Sequence, residues 1–519
     1  MKRKILVIGL DGATWDLIEP FVRLGELPRF REWMEKGCWG NLKSTVPALT
    51  PPGWTSAFTG VNPGKHNIYD FFKLDRSRMK LGLATSADRK YPAFWEIASR
   101  ENVRVGLFNV PCSYPADGVN GFMVTGMATP ENAGGFGYPA EVERAIRERF
   151  PGYKFGADAG LLESGRKKEF LRDIYRVTGT QESAALFLIG EYDPDLLLFV
   201  YDETDRVMHF FWHDSDPGHP SHAEEGEFGR AIADYYRRVE EGIGKLISAM
   251  GGDVDLVIFS DHGFGPLEKD IYVNRLLHDW GYLEVMPSAR EALRKPMWKR
   301  ILKKAVPPGA RRLFREKIKA SPLADPLGYI DFKRSRAFYA SVSGRSLYIL
   351  DDKDRDGTAR ELRDRLENFV DEDTGRKPFQ KVFLKNEVYS GPSLENAPDM
   401  VIREDGRFAF KVEWSDRVSS PATQHGCLKS GSHRPEGLLL CRGASFAEGK
   451  KITEAGICDI APTLLAIMGL PPGTDMDGRA LDAILREKVE SAPRDYSGIR
   501  PGGSGQSEED DSQVQEQLK

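Results

Sequence analysis

Four short runs in the first half of the chain are apolar almost throughout rather than at alternate positions: KILVIGLD (4–11), VRVGLFNVP (103–111), DLLLFVYDETD (195–205) and DLVIFSDHG (255–263). A strand with one wet face alternates apolar and polar residues, so runs without alternation have to be covered on both faces. Helical patterns lie between them. PAFWEIASREN (92–102) opens with a proline suited to a first helical turn, and across 223–249 Phe228, Ile232, Tyr235, Val239, Ile243 and Leu246 recur every three or four residues as one apolar stripe. Strands alternating with helices predict an α/β fold: a mostly parallel sheet sandwiched by helices.

With 519 residues there is length for one large α/β domain with insertions or for two to three ordinary domains. The alternation breaks after Pro266 and returns in GICDIAPTLLAIMGLPPGTDMDGRAL (456–481). We therefore expect a catalytic core formed by 1–265 and 411–492, with 266–410 inserted as a cap subdomain. Within the insertion, DGTARELRDRLENFV (356–370) reads as a helix with Leu362, Leu366 and Phe369 on its core side. From Arg290 to Lys319, twelve Lys or Arg stand against two Glu with Trp298, Ile301 and Leu302 interleaved. That composition suits a solvated helical face, a lid over an anionic substrate or a surface approaching acidic lipid. From Pro493 to Lys519 almost nothing apolar remains, and a disordered acidic tail is expected.

A formal net charge of −5 with 29% charged residues gives no reason to expect a nucleic-acid polymer as partner. The five cysteines are scattered with no C-x-x-C spacing, which argues against both a disulfide framework and a thiolate zinc site and fits a reducing compartment. The apolar run at the N-terminus is too short for a signal peptide, and no run is long enough to span a membrane. A cytoplasmic location is the expectation.

Ligand sites in open parallel sheets lie at the carboxyl ends of the strands, and three of the four runs end in carboxylates. The first delivers Asp11, the third leads through DETDRVMH to Asp205 and His209, four apart and so on one helical face, and the fourth ends in Asp261 and His262. SGSHRPEG adds His433 on a glycine-bounded loop. Aspartate with neutral imidazole is a ligand set for Zn²⁺ and neighbouring divalent ions, and the count implies two of them. VPALTPPGWTSAFTG (46–60) sets Thr50 before two prolines, which push the preceding residue out of helical geometry, so Thr50 is expected on a rigid turn.

The combination of LDG, TPPGWTSAFTGVNPGKH, DETDRVMH, SDHG, GSH and DIAPTLLAIMGLP resembles the alkaline phosphatase superfamily, in particular its type I phosphodiesterase/nucleotide pyrophosphatase branch. The resemblance covers roughly 4–265 and 420–480. It implies a metal-dependent phosphoric-ester hydrolase with a small phosphorylated substrate and two divalent ions, Zn²⁺ or Mn²⁺. One ion would be held by Asp205, His209 and His433, the other by Asp11, Asp261 and His262. Thr50 matches the nucleophile, coordinated to the second ion and phosphorylated in the reaction. The match departs from the family at two points. TPPGW replaces the commoner TFPN, and Phe71 stands where these phosphodiesterases carry an asparagine, with Asn67 and Asp70 nearby. His425 in TQHGC is an alternative to His433 as ligand. A phosphomutase or phosphomonoesterase of the same superfamily, and a silent phosphate-ligand binding protein, are the competing readings.

Overall fold

The computed structural model describes residues 3–130, 132–224, 226–289, 326–341, 345–424, 427–487, 491–499 and 501–502. The basic stretch 290–319, His425 and the terminal 503–519 lie outside the described residues. A nine-stranded sheet forms the centre, running from one edge through Lys450–Ile452, Gly37–Lys43, Glu436–Arg442, Val254–Phe259, Lys4–Leu10, Leu196–Tyr201, Val105–Val110 and Gly121–Thr125 to Gly137–Tyr138. Glu436–Arg442 and the short edge strand Gly137–Tyr138 run antiparallel to their neighbours; the other pairings are parallel.

Successive side chains of a strand point to opposite faces, and here both faces are dry. Leu6, Ile8, Leu197 and Phe199 enter one apolar cluster, whereas Ile5, Val7, Leu196 and Leu198 enter another. Helices Trp15–Arg23, Lys167–Tyr192, Glu203–Ser215 and Ala231–Ala249 cover the first face; Thr50–Thr59, Phe94–Arg100 and Ile460–Ile467 cover the second. This double burial is why the strand sequences lack alternation.

A third apolar cluster draws on residues between Ile271 and Val412. It backs a four-stranded antiparallel sheet, Ala337–Tyr339, Ser346–Ile349, Met400–Glu404 and Phe379–Leu384, on which helix Arg355–Asn368 packs through Leu362 and Leu366. A small sheet of Phe408–Lys411, Lys269–Tyr272 and Ser419–Pro421 joins this layer to the core, so pairing continues past residue 411.

Two expectations require correction. Thr50 is not on a turn: it opens helix Thr50–Thr59, with Leu49 extended before it and Gly60 closing it at φ 72°. Prolines at the start of a helix forfeit only N–H groups that have no intrahelical acceptor, so Pro51 and Pro52 initiate the helix at no cost in hydrogen bonds. The first part of the expected tail is also ordered: Tyr496 and Ile499 are buried in the second cluster, and Tyr496 Oη donates to the Pro471 carbonyl at 2.9 Å.

Candidate active site

Strands Lys4–Leu10 and Val254–Phe259 lie side by side in parallel register, with Gly9 opposite Phe259, so Asp11 and Asp261 leave the sheet together. The turn that follows is fixed by glycine. Gly12 sits at φ +70°, donates its N–H to Asp261 Oδ1 at 3.2 Å, and has the Phe264 ring where a Cβ would come within 2.8 Å. Trp54 Nε1 donates to Asp11 Oδ2 at 3.2 Å. Gly53, in the same helical turn, lets that helix approach: a Cβ there would stand 3.1 Å from the Asp261 Cβ and carbonyl oxygen. The first turn thereby delivers Thr50, whose Oγ1 lies 3.3 Å from His262 Nε2. His262 Nε2 is also 3.3 Å from Asp261 Oδ2 and 3.6 Å from Asp11 Oδ1.

The remaining three residues come from one helix and one two-stranded antiparallel sheet. Asp205 and His209, one turn apart on Glu203–Ser215, meet at 3.2 Å through Asp205 Oδ2 and His209 Nε2. Strand Gly431–Arg434 pairs with Gly263–Pro266, setting His433 opposite Phe264. From there His433 Nε2 lies 3.3 Å from Asp205 Oδ1 and 3.3 Å from His209 Nε2. All seven residues singled out in the sequence thus converge on one place. His262 stands at the junction: its ligand atom groups within 4.8 Å with those of Asp205 and His433, and equally with those of Asp11 and Asp261.

The imidazoles are pre-set as lone-pair donors. Each Nδ1 faces a backbone carbonyl, His209 to Gly431 at 2.7 Å, His262 to Gly263 at 3.0 Å and His433 to Ala48 at 3.3 Å. With the proton on Nδ1, each Nε2 presents its lone pair to the centre. Burial keeps all three neutral, lowering His209, pushing His262 down to about 4 and holding His433 well below its usual range. Burial raises the Asp11 carboxyl well above the usual range, with repulsion from Asp261 and Asp205 adding to it. Asp261 is raised well above the usual range too, by burial first and then by repulsion from Asp205. Asp11 Oδ1 and Asp261 Oδ2 are buried without a hydrogen-bond partner. Three crowded carboxylates, unpaired buried oxygens, three imidazole lone pairs and a hydroxyl are a donor set that divalent cations satisfy, so the residues fit bound metal.

The cluster opens into a cavity of about 650 Å³ lined by Thr50, Asp205, His209 and His433, and by Phe71 as well. Asn67 and Asp70 are not on its wall. Asn67 adopts the left-handed conformation that ends a short helix, and Asp70 is taken up by Ser341 and the Phe71 N–H. Of the histidines without a role in the sequence, His66 is buried between Ser56 Oγ and the Ile68 N–H, while His219 and His278 face the carbonyls of Leu267 and Leu283. Sequence reasoning missed a group of cations on the cavity wall: Arg206, Arg345, Lys411 and Lys429. They come from separate elements at no regular spacing, and only the closeness of Arg206 to Asp205 in DETDRVMH and of Lys429 to His433 in LKSGSH could have flagged two of them.

A sequence model of the family "type I phosphodiesterase / nucleotide pyrophosphatase" matches residues 5–433. No curated protein sequence matches the chain significantly. Among solved structures, phosphonoacetate hydrolase from Sinorhizobium meliloti 1021 in complex with phosphonoacetate is similar at a TM-score of 0.54 and 15% identity, over 90% of this chain and 95% of that one. An inactive variant of murine ectonucleotide pyrophosphatase/phosphodiesterase 5 in complex with AMP gives 0.50 at 14% identity, over 93% and 100%. At such identities these likenesses establish the alkaline-phosphatase-like fold. Since the family match spans most of the chain, the protein belongs to the type I phosphodiesterase/nucleotide pyrophosphatase family, hydrolases acting on phosphoric ester bonds.

Proposed function

We propose that the protein is a phosphodiesterase acting on small phosphorylated molecules through a phosphothreonine at Thr50, with two divalent ions, Zn²⁺ or Mn²⁺. Asp205, His209 and His433 would hold one ion, and Asp11, Asp261 and His262, together with Thr50 Oγ1, the other. The observation that carries the reading is the position of Thr50 Oγ1, buried at a helix start and 3.3 Å from the lone pair of His262 amid three carboxylates. A hydroxyl in an ordinary setting is too weakly acidic to act as nucleophile. Bound divalent ions would lower its pKa and offset charge building on the attacking and leaving oxygens.

In the first step a bond forms between Thr50 Oγ1 and phosphorus as the ester P–O bond opposite it breaks. The hydroxyl proton goes to solvent, and the departing alkoxide is protonated by water. In the second step water attacks the same phosphorus and frees Thr50. Gly12, Trp54 and the three carbonyls facing Nδ1 atoms hold the surrounding groups in register, so little reorganisation is needed as charge moves. Phe71 and Phe210 give the cavity an apolar wall against which an ester arm would lie. A cytoplasmic location goes with this reading; Cys38 and Cys441, paired across adjacent strands, are free thiols.

The test is hydrolysis of bis-p-nitrophenyl phosphate against p-nitrophenyl phosphate by protein loaded with Zn²⁺ or Mn²⁺. Faster turnover of the diester, lost in Thr50→Ala, is expected. A preference for the monoester would replace the reading with a phosphatase or mutase, and Thr50-independent turnover would remove the nucleophile.

A further inference from the structure

Helix Glu203–Ser215 carries His213 in the same row as Asp205 and His209, one further turn along and off the cavity wall. In a regular helix the His209 carbonyl accepts from the His213 N–H. Here each of these groups meets Ser430. The Ser430 N–H donates to the His209 carbonyl at 2.8 Å, and the His213 N–H donates to Ser430 Oγ at 3.1 Å. The His213 ring closes the arrangement, its Nδ1 lying 2.8 Å from the same Oγ. Burial holds this imidazole neutral, pushing it down to about 4. Because Ser430 Oγ already accepts from a backbone N–H, its own proton is best satisfied by the Nδ1 lone pair. Nε2–H then faces Asp214 Oδ2, 3.5 Å away, which Lys167 Nζ holds at 2.6 Å. Ser430 is fully buried, so its hydroxyl has no solvent to turn to.

Ser430 stands three residues before His433. Gly431, the next residue, accepts from His209 Nδ1–H at 2.7 Å and passes so close to the helix that a Cβ would come within 2.4 Å of the Met208 carbonyl oxygen. Two successive residues thus bind the backbone and the ring of His209, and the strand they begin sets His433 Nε2 3.3 Å from both His209 Nε2 and Asp205 Oδ1. Two further histidines brace the segment from the loop after the helix. His219 Nε2–H donates to the carbonyl of Leu267 at 2.9 Å, and the Leu267 N–H donates to the Ser430 carbonyl at 2.8 Å. His222 Nδ1–H donates to the His213 carbonyl at 2.8 Å. Asp11, Asp261 and His262 take their places from strand ends and share none of these bonds.

We propose that Ser430 and His213 form a latch that positions His433 against Asp205 and His209, and so set the affinity of one of the two ions in the function proposed above, on which this inference rests. Neither residue touches substrate or an ion; both act through His209 and His433. Without the latch the His213 N–H goes back wholly to the His209 carbonyl and displaces the Ser430 N–H. His433 then loses its fixed distance from the helix.

The test reads the two ions separately. Metal-stripped protein is titrated with Zn²⁺ against a chromophoric chelator, and the native chain should take up two equivalents. In Ser430→Ala and in His213→Leu one equivalent should weaken by at least about tenfold, the scale on which groups that orient metal ligands act, while the other stays within about threefold. His213→Asn, whose side-chain amide reaches Ser430 Oγ from the place of Nδ1, should bring both back to within about threefold of native. In a His433→Ala background, where that ion has already lost a ligand, His213→Leu should add less than about twofold. Equal weakening of both equivalents, unchanged affinities in His213→Leu, or full additivity with His433→Ala overturns the latch. His213 is the half-buried member of the pair, so its variants decide the matter alone if Ser430→Ala does not fold. Failure of the underlying reading looks different: native protein that takes up no second equivalent removes the two-ion site and the latch's role with it.

Discussion

If Asp11, Asp205 and Asp261 are gathered to hold cations, their crowding must destabilise the protein once the cations are taken away. Asp11→Asn tests this. The ligand oxygens of Asp11 and Asp261 lie within 4.8 Å of one another. Two unit charges at that separation repel by about 3 kcal/mol at an effective dielectric of about 20. Asparagine keeps the shape and an oxygen to accept from Trp54 Nε1 while removing the charge. Chelator-treated Asp11→Asn should therefore be more stable than chelator-treated native protein at pH 7 by about 1–3 kcal/mol, the lower figure applying where one carboxyl is already protonated. With an unfolding entropy of about 2.1 cal/mol/K per residue, that is a rise in Tm of roughly 1–3 °C for a chain of this length. Scanning calorimetry with and without Zn²⁺ reads both arms. The native protein should gain strongly in Tm on adding metal, whereas the variant should gain much less. A metal-free variant less stable than metal-free native protein would refute the argument, because the carboxylates would then be stabilising one another through a shared proton or hydrogen bonds.

Thr50→Ala should cut kcat by at least about 10³-fold yet retain metal stoichiometry by elemental analysis, since six ligands remain. Gly12→Ala should cost about 2 kcal/mol in denaturant unfolding, because alanine is strained at φ +70° and meets the Phe264 ring; unchanged stability would show that the turn relaxes. His66, fully buried and pushed down to about 3 by burial, binds a proton more readily when unfolded. Its contribution is present above pH 6.5 and is lost as pH falls toward 3, by about 2 kcal/mol at pH 5. His66→Gln should flatten that acid limb in urea titrations, and an unaltered limb would shift the cause to another group.

What was legible in the sequence was whatever a strand or a helix repeats. The dry strands follow from their lack of alternation, and Asp11 and Asp261 from being the first carboxylates beyond them. The Asp205–His209 contact follows from a spacing of four. His433 was legible only through its small, glycine-bounded neighbours, and the strand Gly431–Arg434 that carries it in place of the expected loop was not. Thr50 was misread because the rule for residues preceding proline was applied without the compensating rule for prolines in a first helical turn. Lys411 and Arg345 were invisible because the cavity wall is assembled from distant segments, and a lone lysine or arginine in sequence reads as surface. Tyr496 and Ile499 were lost among polar neighbours, although two apolar residues suffice to dock a short segment.

The central claim is that Thr50 carries the phosphoryl group. The most direct measurement is acid quench of the metal-loaded protein during turnover of a phosphodiester, followed by peptide mass mapping. Phosphate on the peptide containing Val46 to Gly60, localised to Thr50 and absent from Thr50→Ala, is the result the account predicts. Phosphate on another residue, or none trapped while turnover proceeds through a rate-limiting second step, would contradict it.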